Sequence, residues 1–131
     1  MNAKMQVLSS VPLFQGLSKR QLERVATLAD EIDIPSDREL TREGATGKEF
    51  LVLVDGVADV TRNGELINRL GPGDFLGEIS LVTGWPRTAT VTTRTPSRVL
   101  VLSAAGFRSL LHRMPRIQSK VLDALVVRAG I

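Results

Sequence analysis

The sequence predicts a mainly β domain with flanking helices: a helical lead, a compact unit of about seven or eight strands, then two helices. Three observations carry that expectation. Over residues 32–102, short apolar runs alternate with turn signals, the spacing of a sandwich, barrel or jelly roll. Before Asp30 and after Ser103 the hydrophobic period turns helical. No linker, repeat or low-complexity stretch divides the 131 residues, a length that suits one domain. The expected division is a helical lead over 1–31, β structure over 32–102 and C-terminal helices over 103–131.

In the lead, Ser18 and Gln21 have the spacing of a capping box, and Leu22, Val25, Ala26 and Ala29 follow at helical intervals. A helix over 19–30 is predicted, with Leu13, Phe14 and Leu17 packing beside it. Strands are predicted over 50–54, 57–60, 66–70, 89–92 and 99–102. The turns between strands are Glu43-Gly44, Asp55-Gly56, Asn63-Gly64 and Gly71-Pro72-Gly73-Asp74. Asn63-Gly64 is the strongest hairpin signal, because both central residues of a type I′ turn need positive φ. Ser103 can cap a helix carrying Phe107, Leu110 and Leu111, and Pro115 can open the next. There Ile117, Val121, Leu125 and Arg128 share a face widened by Leu122 and Val126. The apolar faces of both helical ends are expected to close one side of the β unit. The last helix has two further options, covering a ligand or pairing with a copy of itself as a homodimer.

Composition narrows the function. The formal charge of +3 is spread without a block of like charges, which gives little support for nucleic-acid contact and suits a small anionic ligand. There is no cysteine, so disulfides, thiolate catalysis and Cys-based metal sites are excluded, and a cytoplasmic location fits. The start lacks a signal-peptide h-region, and no apolar run approaches the ~20 residues that span a bilayer. A metal-dependent enzyme of jelly-roll type needs several histidines and a carboxylate, and the chain has one histidine. No Ser–His–Asp or Cys–His set is recognisable. The expectation is therefore no enzyme, no metal and no cofactor. His112, near a predicted helix end, reads as a surface residue facing terminal carbonyls.

The segment over 73–91 breaks the alternating pattern. Between Gly77 and Val82 there is room for about one helical turn, whose first N–H groups lack intrahelical partners. Gly77 lets the backbone approach a ligand closely. Arg87 offers a charged, forked donor to a phosphate, and Glu78 offers an acceptor for a sugar hydroxyl. Backbone amides plus one arginine suit a single negative charge, as in a phosphodiester. A triphosphate calls for a lysine and a metal, and the P-loop spacing is absent.

The run Gly77-Glu78-Ile79-Ser80-Leu81, followed by Pro86-Arg87-Thr88-Ala89-Thr90-Val91, resembles the phosphate-binding cassette of cyclic-nucleotide-binding domains. These domains occur in catabolite-activator-type transcription factors, kinase regulatory subunits and cyclic-nucleotide-gated channels. The resemblance covers most of the chain: Leu13-Phe14 with Leu17 looks like the family's opening helix, and the run from Val54 to Val60 looks like its central strand pair. It implies an eight-stranded antiparallel β roll, jelly-roll-like, with an N-terminal helix and two C-terminal helices. By position, Glu78 would accept the ribose 2′-hydroxyl and Arg87 would pair with the cyclic phosphate. The backbone of Gly77, Ile79, Ser80, Thr88 and Ala89 would complete the cradle, and Leu122, Leu125 and Arg128 would cover the base. A hydroxyl at Thr88 is compatible with cGMP, and cAMP is the preferred ligand. Two positions depart from the pattern. Leu76 stands where an aromatic residue is common. Trp85 stands where a smaller residue is usual, and it is expected to pack against a neighbouring loop rather than touch a partner or shield the pocket. The implied function is a regulatory module that couples cyclic-nucleotide capture to movement of its C-terminal helices and signals to an effector protein or domain. The alternatives are a degenerate fold serving protein contacts, or the sensor fragment of a larger transcription factor whose helix-turn-helix would follow Ile131.

Overall fold

The computed structural model describes the backbone of residues 3–129 and the side chains of residues 3–126. A helix α1 (Ala3–Ser10), a single 3-10 turn (Pro12–Phe14) and α2 (Lys19–Leu28) lead into eight strands. These are β1 (Asp30–Ile34), β2 (Glu39–Thr41), β3 (Glu49–Asp55), β4 (Ala58–Arg62), β5 (Glu65–Leu70), β6 (Phe75–Leu76), β7 (Thr90–Thr93) and β8 (Ser97–Ser103). A short α3 (Glu78–Thr83) interrupts them, and α4 (Ala104–Arg113) and α5 (Pro115–Ala129) follow.

The strands form two antiparallel sheets, in the orders β1-β8-β3-β6 and β2-β7-β4-β5. Together they make an eight-stranded β roll. Two apolar cores share its central strands. On β3, Leu51 and Leu53 point into the roll with Ala58, Leu70 and Val91, while Phe50 and Val52 point out into a helical core. On β8, Val99 faces the roll and Leu100 and Leu102 face the helices. This is the period-2 alternation of a strand with an apolar layer on each face. In the outer layer, Phe107 of α4 stacks on Phe50 with ring centroids 4.3 Å apart. Both helical ends thus lie over the outer face of the first sheet.

Local chemistry explains the boundaries. The Ser18 hydroxyl accepts from the Gln21 amide at 3.2 Å, and the Gln21 side chain accepts from the Ser18 amide at 2.9 Å. Ser103 caps α4 by accepting from the Gly106 amide at 3.0 Å. Asn63 and Gly64 have φ of 52° and 79°, as a type I′ turn requires. Helix α1 lies within the expected helical lead, where no separate helix was assigned. Two expectations are corrected. Leu13 and Phe14 lie in the 3-10 turn rather than in an opening α-helix. And α2 stops at Leu28, because Asp30 already pairs with Val101 in the first sheet.

In α5, Ile117 and Val121 are buried in the helical core and Leu125 packs partly against it, while Leu122 and Val126 are exposed. The Lys120 ammonium donates to the carbonyls of Pro12 at 2.6 Å, Gln15 at 3.3 Å and Leu13 at 3.4 Å. This lysine ties α5 to the end of the 3-10 turn.

Candidate functional site

The chain enters α3 through Gly77, whose φ is +100°. A Cβ there would stand 2.7 Å from both the Glu49 carbonyl oxygen and Arg87 Nη1, so only glycine fits this turn. The turn swings Glu78, Ile79 and Ser80 into the wall of a cavity of about 300 Å³, the lower end of the usual range for small-molecule sites. The opposite wall comes from Val60 and Arg62 of β4, Ile67, Asn68 and Leu70 of β5, and Val91 of β7. Arg87, Thr88 and Ala89, which lead into β7, close the rim with Thr41 of β2.

Glu78 is fully buried and Arg87 is 8% exposed. Arg87 Nη1 donates to the Gly77 carbonyl at 3.0 Å and Nη2 to the Glu49 carbonyl at 2.6 Å. Its backbone is held too: the Arg87 amide donates to Ala45 O at 2.8 Å, and Arg87 O accepts from the Gly44 amide at 2.9 Å. Burial pushes the guanidinium below its ordinary range, and the nearby charges of Glu49 and Glu78 pull it back up. It remains cationic at any physiological pH. Among the described residues, two of its five N–H donors are used, both on carbonyls. The arrangement presents a fixed guanidinium and a buried carboxylate within one cavity. Together they can bind a molecule that carries an anion at one end and hydroxyls beside it.

All of the cassette residues expected at the site, Gly77, Glu78, Ile79, Ser80, Arg87, Thr88 and Ala89, line this cavity. The expected base cover does not: Leu122 is exposed, Leu125 packs on the helical core, and neither is part of the cavity wall. The Arg128 side chain lies outside the described residues. Trp85 is 59% exposed and does not line the cavity. His112 is exposed near the end of α4, as expected.

Sequence reasoning missed several residues. On β4, Ala58, Val60 and Arg62 alternate toward the roll interior, so Arg62 was findable by period 2 once that face was known. Arg62 Nε donates to the Thr88 carbonyl at 2.9 Å. Gly47 was missed as well. A Cβ there would lie 2.5 Å from Ser80 Cβ and 3.0 Å from Arg87 Cζ, so its lack of a side chain makes room for the two groups behind it.

The family model described as the cyclic nucleotide-binding domain matches residues 31–114. The chain is 30% identical over 125 residues to a cyclic nucleotide-gated potassium channel of Rhizobium etli, covering 95% of this chain and 35% of the channel. It is 33% identical over 105 residues to a cAMP-dependent protein kinase regulatory subunit of Eremothecium gossypii, covering 79% of this chain and 23% of the subunit. The solved regulatory domain of Toxoplasma gondii PKA with cAMP matches with a TM-score of 0.70 at 28% identity, over 80% of this chain and 42% of that one. The chain spans about a third or less of these curated relatives.

Proposed function

The chain belongs to the cyclic nucleotide-binding domain family, and from that premise we propose that it is a regulatory module that captures cAMP in preference to cGMP and passes the event to its C-terminal helices. The observation that carries the reading is the placement of Glu78 and Arg87, both buried, in the wall of one cavity. Arg87 pairs with the cyclic phosphate, Glu78 accepts the ribose 2′-hydroxyl, and the backbone of Gly77, Ile79, Ser80, Thr88 and Ala89 completes the cradle. The base lies against the apolar side chains of Val60, Ile67 and Leu70. The preference for cAMP is supported by the relatives named for it.

Coupling to the helices is supported by α3. Glu78, Ile79 and Ser80 line the cavity, while Leu81, next along the same helix, is buried in the helical core. The Leu81 carbonyl accepts from Arg108 of α4 at 3.4 Å, and α3 packs against α5. A shift of α3 on ligand capture therefore reaches both C-terminal helices. The ligand's differential affinity for the two arrangements sets the energy available. An effector protein or domain would read the helices' new position.

Isothermal titration calorimetry with cAMP, cGMP and 5′-AMP tests the reading. Saturable binding of a cyclic form and not of 5′-AMP is expected, tighter for cAMP. Arg87→Ala removes the charged partner of a desolvated phosphate, and a loss of about thirtyfold or more is expected. Unchanged affinity in that variant would remove Arg87 from the phosphate site.

A further inference from the structure

One cation of the cavity wall, Arg62, has no part in the cradle described above. It ends β4 with its side chain on the roll-interior face, partly buried, and lines the cavity. Its Nε bond to the Thr88 carbonyl, at 2.9 Å, places it beside the residue that follows Arg87. Among the described residues it makes no other hydrogen bond and no ion pair. Glu65, its partner across the hairpin, is exposed and not bonded to it. Four of its five N–H donors are therefore uncommitted.

The charge of the wall is equally specific. Among the described residues, its ionisable groups are two cations, Arg62 and Arg87, and one anion, Glu78. That leaves one net positive charge, equal and opposite to a single phosphodiester. Without Arg62, the ligand would bring the partly desolvated site to a net negative charge, which low dielectric penalises more than water does.

We propose that Arg62 is a second cationic group of the nucleotide site. It positions the loop after Arg87 through the Thr88 carbonyl, and its charge balances the ligand phosphate against buried Glu78. The inference rests on the cyclic-nucleotide reading. Two roles are involved, a tether and a charge, and substitution separates them: Arg62→Lys keeps the charge and loses the forked donor, while Arg62→Gln loses the charge.

The experiment is calorimetry of cAMP binding to the full chain and to both variants, at about 0.05 M and about 0.5 M salt, with thermal midpoints recorded alongside. Wild-type affinity is expected to weaken with salt. Arg62→Gln should bind roughly ten- to a hundredfold more weakly at low salt and respond much less to added salt. Arg62→Lys should keep most of the wild-type salt response. A merely structural tether would not change that response, so Arg62→Gln with the full wild-type response would overturn the proposal while leaving the cyclic-nucleotide reading intact. A wild-type chain that binds neither cAMP nor cGMP would overturn both.

Discussion

A cavity of this kind is set as much by missing atoms as by present ones, and Gly47 is the clearest case. Its backbone is not in the left-handed region, so any residue could adopt its conformation. The constraint is space: Ser80 and Arg87 occupy the volume a Cβ would need. Gly47→Ala must therefore push Arg87 or α3 aside, at a cost of about 1–3 kcal/mol, and cAMP affinity should fall with stability. Gly64 offers the opposite case, with φ of +79° and nothing near its absent side chain. Gly64→Ala should cost about 1 kcal/mol through backbone strain and leave affinity alone. Calorimetry and thermal melts on the pair check this; equal effects on affinity would show that Gly47 does not guard Arg87. The comparison also explains what was legible. Glu78 and Arg87 are readable because their chemistry lies in their own side chains at a recognisable spacing. Gly47 is not, because what forbids a side chain there comes from residues 33 and 40 positions further on. That Leu122 and Leu125 do not line the cavity has a related reason, since helical periodicity gives a shared face but not the layer it meets.

At the scale of elements, the sheet behind the cavity is bound by charge as well as by its ladder. Asp59 on β4 accepts from Arg94, just past β7, at 2.8 Å and from Arg69 on β5 at 3.1 Å. Arg94 also reaches Asp37 at 3.1 Å, in the turn between β1 and β2. The hydrogen bond from Arg94 above all, with help from Arg69, holds the Asp59 carboxyl below the usual carboxylate range against a smaller desolvation effect. A carboxyl whose folded pKa lies below its unfolded value of about 3.9 adds stability that is fully present above that value. The contribution disappears as pH falls through the folded pKa. Asp59→Asn should therefore melt below wild type near neutral pH, and the two midpoints should converge below about pH 4. A gap that stays constant through acidification, measured by circular dichroism, would show that the carboxylate charge is not what joins these strands. Elements with strong local signals were legible: the Ser18–Gln21 box, the Ser103 cap and the Asn63-Gly64 turn. Strand β1 was not, because Asp30-Glu31-Ile32-Asp33-Ile34 is mostly exposed and owes its pairing to β8, not to its own pattern. Strand β6 has two residues, too few to show a period. Helix α1 has apolar residues without a clear apolar stripe, so nothing in its local pattern separates it from a loop.

At the scale of the molecule, α3 faces two ways: Glu78, Ile79 and Ser80 line the cavity and Leu81 enters the helical core. The roll interior holds the cavity, the helical core carries α4 and α5, and strands β3 and β8 are the wall between them. Strands in mid-sheet are poor transmitters, because their ladders resist displacement. A helix of six residues held by Gly77 at one end and Gly84 at the other can shift as a unit. If transmission runs through α3, it depends on Leu81, which is 4% exposed and seated in the helical core three residues after Glu78. Leu81→Ala and Phe107→Ala both hollow the same core, at about 2–5 and about 3–5 kcal/mol. Set against a total of about 5–15 kcal/mol, these losses make a cooperative thermal transition in each variant the first thing to record, and variants that keep one are compared. Hydrogen exchange of α5 amides with and without cAMP should then separate them. In Phe107→Ala, the ligand-dependent change in α5 persists on a less protected background. In Leu81→Ala, cAMP still binds through Glu78 and Arg87, but the change in α5 shrinks or vanishes. Equal loss in both variants would mean that α5 responds to the general stability of the helical layer rather than to the displacement of α3.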